Sequence, residues 1–232
     1  MRTLTLDEKL YGGIAVLLVV LQVLFTLLLA PFLPSQQITI SWLETIIYLI
    51  LGYVGLRLAT RSGFPEMMNP EINNKQRFVI PLLIGILFGA VTIIFDLINP
   101  IGTIHFPFPI SLVVYPRAAI LQQLLFTLFL VTFLVWLISS VILKENKQQQ
   151  VFWGVAITIA IAYTLWQISL FLTYVGGLTP FFVVELIVLS GGFTLTAAYL
   201  YRDSGFLSAI TAHLGQYLIW HIIWGGFAIA LL

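Results

Sequence analysis

The sequence predicts an all-α, polytopic membrane protein of about seven transmembrane helices, a helical bundle with almost no mass outside the bilayer. Three observations predict it. Of 232 residues, 60% are hydrophobic and 8% charged, where a soluble domain carries about 25% charged residues. Seven apolar stretches approach or exceed the about 20 residues that a spanning helix needs. The basic residues gather in alternate linkers, as they do when successive segments cross a membrane.

Residues 11–33 form the first segment, ended by Pro31 and Pro34. It is longer than a signal-peptide core and is followed by no small-residue cleavage site, so a retained helix is expected. Residues 38–59 form the second segment, and residues 78–97 the third, ended by Asn99 and Pro100. Residues 111–143 are too long for one straight span, and Pro116 is expected to kink the helix or divide off a short leading piece. The fifth segment is 151–173 and the sixth 180–201, with Pro180 at a favourable first-turn position. Residues 206–232 form the seventh. The linkers are short except for 60–77. With no repeat or low-complexity tract, residues 1–232 are read as a single transmembrane domain.

With seven spans, one face of the membrane receives Arg2, Lys9, Arg57, Arg61, Lys75, Arg77, Lys144, Lys147 and Arg202. The loops of the other face receive no basic residue, and only Arg117, early in the fourth segment, breaks the pattern. The positive-inside rule then places the N-terminus in the cytoplasm and the C-terminus on the opposite side. Tyr11, Trp42, Trp153 and Tyr201 sit near segment ends, where aromatic belts form.

The net charge of +1 argues against nucleic acid as a partner. The absence of cysteine excludes disulfides, thiolate nucleophiles and Cys-ligated metals. Chemistry must therefore come from the few polar residues within the segments, where each ionisable group is a candidate by default. Glu44, Asp96 and Glu185, with His105 and Arg117, lie towards the external face. They are expected to reach the headgroups or pair with one another; a polar site opening outward is the sharper alternative. His213, Tyr217 and His221 recur at i, i+4 and i+8 and share one face of the last helix. Gln122, Gln123 and Gln167 lie at bilayer depth, where amides must find partners on other helices. Gly85 and Gly89 form a G-x-x-x-G pair, which permits close backbone approach.

These positions fall into a frame. The stretch 105–141 opens HFPFPISLVVYPRAAILQQLLFT, and 197–220 reads AAYLYRDSGFLSAITAHLGQYLIW. Between them, 162–169 reads AYTLWQIS, and upstream 62–85 begins SGFPEMMNPE. The pattern resembles the CPBP family of intramembrane metalloproteases, related to CAAX prenyl endopeptidases and bacteriocin self-immunity proteins, over about 62–232. Members read P-F-P-x-S-L followed by E-E-x-x-F-R, then F-x-x-x-H, then Y-L-Y-x-x-T/S-G and H-x-x-x-N. The resemblance sets Gln122 and Gln123 at the two motif glutamates and Thr127 at the arginine. Tyr163 and Gln167 stand at the phenylalanine and histidine of the second motif. His213 matches the last histidine, and Tyr217 the asparagine.

The resemblance implies a CAAX-protease-like bundle whose site has lost its reaction. In the family a glutamate activates water while histidines and a further polar residue hold a metal or the oxyanion. Glutamine keeps the shape of glutamate without its basicity. A catalytic zinc usually keeps three protein ligands, and His213 alone falls short. No catalytic residue, metal or cofactor is therefore expected. The implied function is a catalytically inactive membrane scaffold, assembly factor or complex subunit, with other membrane proteins and lipids as partners. One alternative is an active zinc-dependent protease with a displaced site drawn from His213, His221 and Glu185. Against it, Glu185 is read as shallow on the external side and His213 as closer to the cytoplasm. Another is a pigment- or haem-binding subunit using His213 or His221, and a transporter is a further one. The frame also requires Gln122, Gln123, Gln167 and His213 to point into one cavity between the fourth, fifth and last helices.

Overall fold

The structure, a computed structural model, describes residues 4–99, 105–144, 147–175 and 177–228. Arg2, Pro100 and the end of the seventh predicted segment, 229–232, lie outside the described residues. Seven described helices are long and apolar enough to cross a membrane. They are α1 (Leu6–Leu29), α2 (Ser35–Ser62), α3 (Lys75–Ile98) and α4 (Ser111–Ile142). After them come α5 (Gln148–Val175), α6 (Pro180–Ser204) and α7 (Phe206–Phe227). No strand occurs among the described residues. Each predicted segment has its helix, and most ends shift by only a few residues. The shifts lie at polar caps that hydropathy does not register. At the start of α1, Thr5 and Glu8 form a reciprocal capping box.

Pro116 does not divide the fourth helix. Helical structure runs through it to Gln122 and continues in wide, i→i+5 turns over Gln123–Val131 and Trp136–Ile142. An α-helix of 32 residues would reach about 48 Å. Wide turns advance less per residue and shorten the helix somewhat, and a span still longer than a hydrocarbon core of about 30 Å is accommodated by tilt. Wide turns recur at Ile187–Gly191 in α6 and over Leu218–Ala228 at the end of α7.

The central element is α7, with 56% of its apolar window buried against 39% or less for every other span. It reaches that position by backbone contact with α3. A Cβ on Gly85 would collide with the carbonyl of Ala212, and one on Gly89 would lie 2.8 Å from the carbonyl oxygen of Gln216. Gly215 makes the reciprocal approach to Leu82. The Gly85–Gly89 pair read from the sequence is thus one side of the α3–α7 seam.

Two of the four aromatics assigned to the membrane belts are core residues instead. Tyr11 donates to the carbonyl of Leu49 at 2.5 Å, and the Tyr201 hydroxyl lies 2.8 Å from Thr132 Oγ1. Tyr201 also stacks on Phe64, with ring centroids 4.4 Å apart. Both stand near helix ends, but loop 60–77 folds over that end of the bundle and buries Phe64 and Met67. The Met67 amide is held by Asp7 at 3.1 Å. Trp42 and Trp153 stay half-exposed, as a belt requires.

The seam predicts a steep dependence on residue size. Gly85→Leu should cost about 3 kcal/mol through overpacking and lower the unfolding midpoint in detergent. Gly154→Leu, at a site with nothing within 4 Å of the added Cβ, should leave it unchanged.

Candidate functional site

A cavity of about 100 Å³ lies inside the bundle, walled by α3, α4, α5, α6 and α7. Gln122, Gln123, Thr127, Tyr163, Gln167, His213 and Tyr217 all line it. The expected convergence of Gln122, Gln123, Gln167 and His213 is therefore observed, and α3 and α6 complete the wall. From α3 comes Thr92; from α6 come Glu185, Ser190, Phe193 and Thr194.

The residues bond mostly to one another. Gln123 Nε2 lies 2.9 Å from His213 Nδ1. An amide nitrogen can only donate, so Nδ1 accepts and the ring proton belongs to Nε2. Thr127, one turn further along α4, donates to Gln123 Oε1 at 2.6 Å. Tyr217 donates to Gln122 Oε1 at 3.4 Å, and Tyr163 also bonds to Gln122. His213 packs between Phe193 and Tyr217, with centroids at 4.9 and 4.4 Å.

His221 shares the expected face with His213 and Tyr217 but does not line the cavity. The Tyr217 ring, 4.8 Å from His221, stands between the two histidines. His221 stacks flat on Tyr115 at 3.9 Å, and its Nδ1 lies 3.0 Å from His105 Nδ1. His105 Nε2 is 4.0 Å from Asp96, which also accepts the Trp224 indole N–H at 2.7 Å. The imagined set of His213, His221 and Glu185 is thus split between two environments.

Glu185 requires a correction. The sequence reading placed it shallow, reaching headgroups or a charged partner. Instead it is 2% exposed, lines the cavity with His213, and leaves Oε2 without a hydrogen-bond partner. Depth was counted along the helix axis, whereas burial is set by the face. Phe182, Glu185, Leu189, Phe193 and Ala197 recur at intervals of three and four and are all buried, a signal the sequence did carry.

Arg117 and Glu44 do pair, at 3.4 Å. Arg117 also donates to Gln22 Oε1 at 2.5 Å, Ser41 Oγ at 3.0 Å and Thr45 Oγ1 at 3.0 Å, and lies over the Phe25 ring. The guanidinium thus ties α4 to α1 and α2. The polar part of this site that the sequence reading missed is Gln22.

Implied zinc does not fit this donor set. The lone pair of His213 Nδ1 is taken by Gln123, and the neighbouring amides and phenols are poor zinc ligands. Among the described residues, no three His, Asp or Glu side chains are grouped to hold a metal.

His105 lies between α3 and α4, and burial pushes its pKa below the ordinary 6.5, with Asp96 opposing the shift. The unfolded chain then takes up this proton first. The stability it contributes is complete above pH 6.5 and is lost as pH falls towards the lower folded value. The unfolding midpoint in detergent should drop below that pH, by at most about 1.4 kcal/mol per pH unit from this group. His105→Gln should flatten that part of the profile.

Compared with family models, with curated proteins and with solved structures, the chain matches none.

Proposed function

We propose that this chain is a catalytically inactive member of the CPBP type, working as a membrane scaffold, assembly factor or complex subunit that binds partner helices and lipid-like ligands. The observation that carries the reading is the Gln123–His213 bond. A glutamate at position 123 would accept a hydrogen bond from Nδ1–H, leaving the Nε2 lone pair free for a metal or for a proton from water. Glutamine reverses the bond: it donates, and Nε2 carries the proton. One change from carboxylate to amide thus removes a base and turns the histidine's free nitrogen into a donor. Thr127, where the family carries arginine, bonds to the other end of the same amide.

A binding role also has a surface. Between α5 and α6 an apolar groove of about 550 Å³ is lined by Ile157, Ile161, Leu165, Val183, Ile187 and the glycines Gly191 and Gly192. Such a groove suits an acyl chain or the side of another helix, because apolar side chains of both helices line it.

The second reading, an active intramembrane metalloprotease, draws on Glu185, whose unpartnered carboxylate oxygen lies in the same wall as His213. A cleavage assay separates the two. The purified protein should not cleave prenylated or unstructured membrane peptides, with or without chelator. Chelator-sensitive cleavage that Glu185→Gln abolishes would establish the second reading. The revertant Gln122→Glu, Gln123→Glu, Thr127→Arg, Gln167→His, Tyr217→Asn is the positive control. Nitrogen NMR of the imidazole should show the Nε2–H tautomer in the unmodified protein and the Nδ1–H tautomer in Gln123→Glu. An Nδ1–H ring in the unmodified protein would remove the support.

Orientation belongs to the same proposal. The one-sided Lys and Arg distribution places the N-terminus and loop 60–77 in the cytoplasm and the C-terminus on the opposite side. Asn73 is exposed in that loop. A cysteine there, in a chain that has none, should resist an impermeant reagent added outside intact cells and react once the cells are opened.

A further inference from the structure

The cavity has polar needs that its own wall does not meet. Glu185 Oε2 and Gln216 Oε1, on side chains 2% and 7% exposed, are acceptors without donors. Trp220 Nε1–H is a donor without an acceptor. All three residues line the same space. A buried carboxylate oxygen without a donor is costly, and the cavity wall contains no Lys or Arg among the described residues. Asp96 stands within electrostatic reach of Glu185 and adds negative potential there. Asp96 is itself served by Trp224; Glu185 Oε2 is not.

The missing partner is defined by complement. It must bring several N–H donors and positive charge to Glu185 and Gln216, and one acceptor oxygen to Trp220. The rings of Phe193, Tyr217 and Trp220 line the same volume, and aromatic rings attract a cation placed over them. A metal ion would satisfy the acceptors but not the indole N–H; water would satisfy both but bring no charge.

We propose that the cavity binds a primary ammonium group of an amino alcohol, with Glu185 as its counter-charge, Gln216 as a second acceptor and the Trp220 indole donating to the oxygen. The chemistry is shared by free ethanolamine and by the headgroup of an aminolipid. The inference rests on reading the cavity as a ligand site rather than a hydrolytic one. The two fail separately, since cleavage by the unmodified protein overturns the first and absence of amine binding overturns the second.

The test is equilibrium dialysis of radiolabelled ethanolamine against the full-length protein in maltoside micelles. Saturable binding of one ethanolamine per chain is expected. Unlabelled ethanolamine should compete, whereas the uncharged near-isostere ethylene glycol should not. Glu185→Gln should weaken binding about 100-fold, the scale of breaking a buried charge pair. Trp220→Phe, which keeps an aromatic face, should weaken it several-fold and serves if Glu185→Gln does not fold. Non-saturable uptake, equal competition by ethylene glycol, or undiminished binding by either folded variant would overturn the proposal. Nanodiscs of phosphatidylglycerol with and without phosphatidylethanolamine separate the sources. Loss of ethanolamine binding in the mixed discs assigns the headgroup; unchanged binding assigns the free amine.

Discussion

The fold depends on the contact between α3 and α7 at backbone distance. Lipid tails are as apolar as the helices themselves, so no hydrophobic force draws two spans together, and close packing must do so. Gly85, Gly89 and Gly215 remove the side chains that would keep the two axes apart. The helix placed by this contact carries His213, Gln216, Tyr217 and Trp220, which make up one side of the cavity. The position of every polar group on that side is therefore set by three residues that have no side chain.

A second constraint is that lipid offers no hydrogen bonds. Each buried polar group must be answered by another helix or carry a standing cost. Two solutions coexist here. Around Arg117 the guanidinium reaches acceptors on Gln22, Ser41, Glu44 and Thr45, and α1, α2 and α4 are joined by it. Around Gln123 and His213 the groups answer each other in a chain from Thr127, while Glu185, Gln216 and Trp220, lining the same cavity, leave polar atoms unanswered. The contrast distinguishes polarity that holds helices together from polarity directed at something else.

Much of the architecture was legible in the sequence because bilayer thickness fixes the length of an apolar run. All seven spans could be placed within a few residues by that rule. The G-x-x-x-G pair pointed to close packing, and the amides at bilayer depth pointed to an interior partner. What escaped had physical causes. Pro116 lies early in α4, where helical structure is carried past it, so a residue that usually breaks helices did not. Wide turns leave no mark in composition, and they turn α4 at a different rate from the one a 3.6-residue period assumes. Tyr11 and Tyr201 satisfied the rule for interfacial aromatics by position, yet Tyr11 packs against α2 and Tyr201 lies under Phe64. Glu185 was misjudged because distance from a helix end says nothing about which face a side chain occupies.

The Arg117 network also bears on how the chain is made. Gln22, Ser41, Glu44 and Thr45 are all synthesised before Arg117. An unpaired arginine costs about 2.5–3.5 kcal/mol to insert at a helix centre, and Arg117, in the second turn of α4, carries a smaller form of that cost. By the time α4 leaves the ribosome, the acceptors on α1 and α2 already exist, and the cation can be neutralised as it enters lipid. Reversing that order, by circular permutation to begin the chain at α3, would expose the guanidinium to the bilayer before its partners are translated. The linear order of the segments is thus part of what makes a buried cation tolerable during biogenesis.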